Sequence, residues 1–105
     1  MLNTLEKLKR LEAYIAVDGG ITDSVLDKTL IKIFVREKIR MRQLTQRLQQ
    51  EIKRFEQDYH LLSQEFYTRY NQGEMGDEID FIEWAATLEM LVNAEKRIAL
   101  LDIIQ

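Results

Sequence analysis

Apolar residues recur along one stretch of this chain at steps of three and four: Leu26, Leu30, Ile33, then Met41, Leu44, Leu48, Ile52, Phe55, Tyr59, Leu62 and Phe66. That spacing lines one face of an α-helix. Neither glycine nor proline falls between Thr22 and Gln72 to interrupt it, so the pattern predicts a long helix over residues 22–72. Between Ile33 and Met41 the seam passes through Glu37, a stutter that unwinds a supercoil locally and makes a strict leucine zipper a poor description. Leu2, Leu5, Leu8, Leu11 and Ile15 repeat in the same way and predict a short helix over residues 1–16. Asp18-Gly19-Gly20 ends that helix, because paired glycines accept positive φ. Thr22, Asp23 or Ser24 then supplies the N-cap of the long helix.

The long helix either breaks or bends near residues 59–63, where Ser63 is placed to cap a new helix and Leu62 to staple onto Tyr67. Gly73 is the natural residue just beyond the end of that segment. A last helix is predicted over residues 77–103. Asp77 is its expected N-cap, and Glu78, Asp80 and Glu83 sit where the helix dipole favours negative charge. Phe81, Ala85, Leu88 and Val92 form its main stripe, with Trp84, Leu91, Ile98 and Leu101 beside it. The short Gly73–Gly76 turn folds this helix back. The fold class is therefore all-α: a short N-terminal helix, then a long helix bent or broken near 59–63, with the C-terminal helix folded back as an antiparallel hairpin in a single helical domain, residues 1–105.

Size turns the seam into an argument about association. A rod of about 35–45 helical residues spans roughly 50–70 Å, whereas a compact domain of this length has a radius of gyration near 13 Å. The rest of the chain cannot cover such a seam, which predicts a partner: a second copy packed mainly through residues 30–55, or a different protein. The N-terminal helix is expected to pack as an accessory or to complete a dimer interface.

Charge sharpens this picture. Residues 27–54 carry nine basic side chains against three acidic ones, and residues 55–89 carry nine acidic against one basic. Such segregation argues for charge-matched packing within or between chains, the antiparallel or crossed dimer being preferred. Lys28, Lys32, Arg36, Arg40 and Arg47 form the stripe that a nucleic-acid binder would use. Against that reading, no helix-turn-helix, ribbon or zinc module is present.

Catalytic chemistry finds little to work with. The chain has no cysteine and a single histidine, His60, which excludes disulfides, thiolate nucleophiles and cysteine-based zinc sites. His60 lies four residues after Glu56, not at the Glu-x-x-His spacing of di-iron bundles. The glycines fit neither a P-loop nor a dinucleotide fingerprint. The acidic group Glu74, Asp77, Glu78, Asp80 and Glu83 lacks the EF-hand layout and is explained by capping and dipole pairing. No catalytic residue, metal or cofactor is expected. No apolar run is long enough to cross a bilayer, and Met1–Leu11 lacks the apolar core of a signal peptide, so a cytoplasmic location is expected.

The motif Phe55-Glu56, Tyr59, Ser63, Phe66, Gly73-Glu74-Met75-Gly76-Asp77 and Asp80-Phe81-Ile82-Glu83-Trp84, with Asp23, Leu26 and Leu30-Ile31-Lys32 upstream, resembles that of a group of small prokaryotic helical proteins regarded as antitoxins of toxin–antitoxin pairs. The resemblance covers most of residues 14–101. The group's usual spelling has a glycine just after the tyrosine, where this chain has His60. The resemblance implies a non-enzymatic binder that neutralises a small toxin encoded nearby, such as an RNase, by covering it. The expected contacts are Leu44, Leu48, Ile52, Phe55, Phe66, Asp77, Asp80, Phe81 and Trp84, with the acidic stretch Glu74–Glu83 suited to a basic RNA groove. Two alternatives from other classes stand beside it: a small nucleic-acid-binding protein using the basic stretch, residues 28–54, and a structural homodimer.

Overall fold

A computed structural model describes residues 1–102 of the chain as all-helical. It is 80% helix, without strands among the described residues. The helices are α1 (Thr4–Val17), α2 (Ser24–Tyr59), α3 (Ser63–Asn71) and α4 (Ile79–Leu101). The predicted end of the last helix at residue 103 lies outside the described residues. By its contacts the chain divides into two compact units, Met1–Ile33 and the portion from Phe34 onward.

In the N-terminal unit, α1 begins at Thr4 because Asn3 caps it. The Asn3 side chain accepts from the Glu6 amide at 2.8 Å, and the Glu6 carboxylate accepts from the Asn3 amide at 3.0 Å. This reciprocal capping box satisfies two otherwise orphaned donors. The helix ends in a Schellman turn: the Gly20 amide donates to the Ile15 carbonyl and the Gly19 amide to that of Ala16. Both glycines have positive φ, as that turn requires at its first residue. Of the three candidates for the N-cap of α2, Asp23 takes the role, its carboxylate accepting from the Leu26 amide at 2.9 Å.

The C-terminal unit is a hairpin. Here α4 packs against α2 in a hairpin-like arrangement, and three contacts fix its register. Lys38 pairs with Asp102, Phe55 stacks on Trp84 and Tyr59 meets Phe81. As residue number rises on α2 it falls by nearly the same amount on α4, so the pair is antiparallel. Phe55, Phe66, Phe81, Trp84 and Ala85 form the core cluster, walled by Tyr59, Leu61, Tyr67, Tyr70, Met75 and Leu88. Farther along the hairpin Met41, Leu48 and Ile52 of α2 and Thr87 and Ala94 of α4 are also buried. The Thr87 hydroxyl donates to its own helix at the Glu83 carbonyl, which makes its burial affordable.

The break between α2 and α3 is real, and it occurs without the expected glycine. His60 takes φ of 50°, the one non-glycine residue with positive φ among the described residues, and the Leu61 amide closes the turn on the Glu56 carbonyl at 3.3 Å. Local capping departs from expectation in two places. Leu62, not Ser63, is the N-cap of α3, with no side-chain cap bond. Instead the Glu56 carboxylate reaches across the break and accepts from the Ser63 amide at 2.9 Å. Leu62 is largely exposed, so it does not staple onto Tyr67. Likewise the N-cap of α4 is Glu78 rather than Asp77, and the helix starts at Ile79. The end of α3 follows expectation: Gly73, with φ of 73°, is the first residue past the cap. The Glu74 and Gly73 amides complete a second Schellman turn on the Arg69 and Tyr70 carbonyls.

Candidate interaction surfaces

The residues expected to contact a partner divide sharply by burial. Leu48, Ile52, Phe55, Phe66, Phe81 and Trp84 are buried within the chain's own hairpin; Leu44 is half-buried, and Asp77 and Asp80 are exposed. Trp84 and Phe66 are both 0% exposed, stacked with ring centroids 3.9 Å apart and planes 3° from parallel. Phe55 stacks on the same indole at 5.6 Å. The indole N–H donates to the Ser63 hydroxyl at 3.0 Å, so the residue expected to cap α3 serves as the polar partner of the buried tryptophan. A seam of large apolar side chains on a helix reads the same whether its cover is a partner or the chain's own fold-back helix; for Leu48–Trp84 the cover is internal. A dimer packed mainly through residues 30–55 would therefore find Met41, Leu48, Ile52 and Phe55 already occupied.

Two tyrosines tie this core to its acidic rim. The Tyr59 hydroxyl donates to Asp80 at 2.5 Å, and that bond, seconded by burial, pushes the phenol pKa up to about 12. Tyr67 donates to Glu89 at 3.0 Å, and the bond raises its pKa in the same sense. Asp80 thus belongs to the closure of the hairpin as much as to its surface. Among the described residues no group of three or more His, Asp or Glu side chains is placed to hold a metal ion, and no helix is long and apolar enough to cross a membrane.

The basic residues are solvated. Lys28 and Lys32 are exposed in the N-terminal unit, and Arg36, Arg40 and Arg47 in the C-terminal one. Arg36 and Arg40 share Glu37, at 2.8 and 3.3 Å, pairs that contribute little at an exposed site. Among the described residues the sole ion pair joining distant segments is Lys38 with Asp102, at 3.1 Å. The segregated charge is thus mostly unused in internal packing and stays available for association.

Three surfaces stand open, two of them not singled out from the sequence. All of α1 is without a buried residue, and Leu8, Leu11, Ile15 and Ala16 border a groove of about 620 Å³ whose other wall includes Leu30. Between α3 and α4, Tyr67, Leu88, Leu91 and Val92 line a second, mainly apolar groove of about 520 Å³. The third is the side of α4 turned away from the hairpin, where Ile79, Ile82, Met90 and Leu100 are exposed. The signal for this last surface was present: α4 carries apolar residues around its whole circumference, which in a surface helix means that a second face needs cover.

Comparison of the chain with protein-family models, with curated proteins and with solved structures finds no match.

Proposed function

We propose that this chain is a non-enzymatic protein-binding module of antitoxin type, which neutralises a small cognate toxin by covering it, an RNase being the narrower form of the reading. The observation that carries it is α1: a capped, amphipathic helix of 14 residues with none of them buried. A helix that short is marginal in water on its own propensity and draws its stability from packing its apolar face. Leu5 and Leu8, both exposed, with half-buried Leu11 and Ile15 beside them, supply a face for a partner. The acidic residues Asp77, Glu78, Asp80 and Glu83, all exposed, suit a basic surface such as an RNA-binding groove, and would speed encounter more than they tighten binding. The resemblance of the Phe55–Trp84 motif to antitoxin-like proteins points in the same direction.

Co-expression of the chain with the product of the adjacent gene, followed by pull-down and growth assay, tests the proposal. The expected result is a stable complex and rescue of growth, both lost on Leu5→Glu with Leu8→Glu while helicity in isolation is retained. A neighbour that is harmless when expressed alone sinks the antitoxin reading. One observation favours a second reading: Lys28, Lys32 and Arg47 have no ion-pair partner among the described residues, as a phosphate-binding stripe requires. Affinity for generic DNA or RNA that falls steeply with salt would favour that reading instead.

A further inference from the structure

The outer face of α4 carries an exposed, largely apolar strip. Ile79, Ile82, Ala86, Met90, Asn93, Arg97 and Leu100 succeed one another at steps of three and four, which keeps them within one narrow strip of a straight helix. All are exposed, Ile79 at 71% and Leu100 at 78%, with Met90 at 48% near the midpoint. The opposite face of the same helix is already packed, through Trp84, Ala85, Thr87 and Ala94. The strip is therefore surplus to the hairpin. We propose that a second copy of this chain docks on it, with the two α4 helices antiparallel and Met90 of each near the two-fold axis.

Charge chooses the occupant and its direction. Glu83 borders the strip and Arg97 lies within it, seven residues before and after Met90 respectively. Neither makes an ion pair among the described residues. A two-fold axis at Met90 brings Glu83 of each copy beside Arg97 of the other, and likewise sets Ile79 opposite the Leu100 end. Parallel pairing would instead juxtapose Glu83 with Glu83 and Arg97 with Arg97, which repel. Glu89, the one acid near the axis that antiparallel pairing brings toward its own copy, is held by the Tyr67 hydroxyl on the α3 side. The strip is about 33 Å long by helical rise and about 10 Å across, roughly two-fifths of the ~800 Å² per partner that a standard interface buries. The dimer is accordingly a weak, reversible one. It shares Glu83 with the toxin-binding reading, which otherwise uses α1 and the acidic turn, and Met90, which only the dimer uses, tells the two apart.

Sedimentation equilibrium on the full chain from about 10 to about 500 µM tests it, a range chosen to bracket such an affinity. The average mass should climb from one copy toward two. Met90→Glu should raise the dissociation constant at least about tenfold, as expected for a charge placed at an interface centre. Glu83→Arg and Arg97→Glu should each weaken the dimer, and their combination should restore it. All three positions are exposed, so circular dichroism should be unchanged in every variant. A monomeric mass over the whole range overturns the proposal, whatever other protein later proves to cover the face. A dimer indifferent to Met90→Glu, or charge reversals that add instead of cancelling, overturns it as well.

Discussion

His60 sits in left-handed backbone geometry that costs an L-residue about 1–2 kcal/mol relative to right-handed alternatives, and it does so with φ of 50° at the point where α2 must stop. His60→Gly should therefore raise the unfolding free energy by about 0.5–1 kcal/mol, net of the entropy that glycine adds to the unfolded chain, while His60→Val should lower it. Urea denaturation compares them; a destabilised glycine variant would show that the imidazole makes contacts worth more than the strain. Tyr59 gives the chain a pH response. Its phenol, held to about 12 in the fold by Asp80, titrates near 10 when unfolded. The stability from that bond is whole below about pH 10 and drains away as pH rises through about 12. Tyr59→Phe should be less stable than the parent at pH 8, with the gap closing in strong alkali; a gap independent of pH refutes the assignment. At this scale the sequence was a partial guide. Gly73 could be read, and Asp23 narrowed to one of three candidate caps, because their chemistry is local. Ser63 could not, because its partner, the Trp84 indole, lies 21 residues away. The break near 59–63 was legible only as one of two options, a break or a bend, because a histidine at position 60 does not signal positive φ.

Between helices the decisive contact is the antiparallel seam of α2 with α4. Leu48 is 1% exposed, so Leu48→Ala should cost about 2–5 kcal/mol, transfer and cavity terms together. Ile39, exposed on the same helix, should change stability by less than about 0.5 kcal/mol when made alanine. Thermal or urea melts of the two variants check the contrast; equal effects would mean that the hairpin register is different. For the same reason Leu48→Glu, which places a charge in that buried site, should melt the hairpin. The seam on α2 was legible from Met41 to Tyr59 because the other faces there are polar. On α4 the pattern was ambiguous, since apolar residues encircle it and periodicity alone does not say which face lies inward.

Stability should be graded along the molecule as burial is. The α4 amides and those of α2 near Leu48–Phe55 lie under the core and should exchange with solvent only through near-global unfolding, whereas α1 amides should exchange by local fraying. Hydrogen exchange followed by mass spectrometry decides it, and protection of α1 equal to that of α4 in the free chain would refute the claim that α1 awaits a partner. Fold class and hairpin were readable from helical periodicity and one glycine turn. Partner surfaces were not, because cores and interfaces recruit the same side chains and only coordinates tell which are left over. Trp84 adds one more consequence. It is the sole tryptophan in the chain, sealed between Phe55 and Phe66. The molecule thus carries a built-in optical gauge, since its indole emission reports the dryness of the hairpin core and nothing else. A partner that settles on folded helices will leave the colour of that emission unchanged, and one that pries α4 away will shift it to the red.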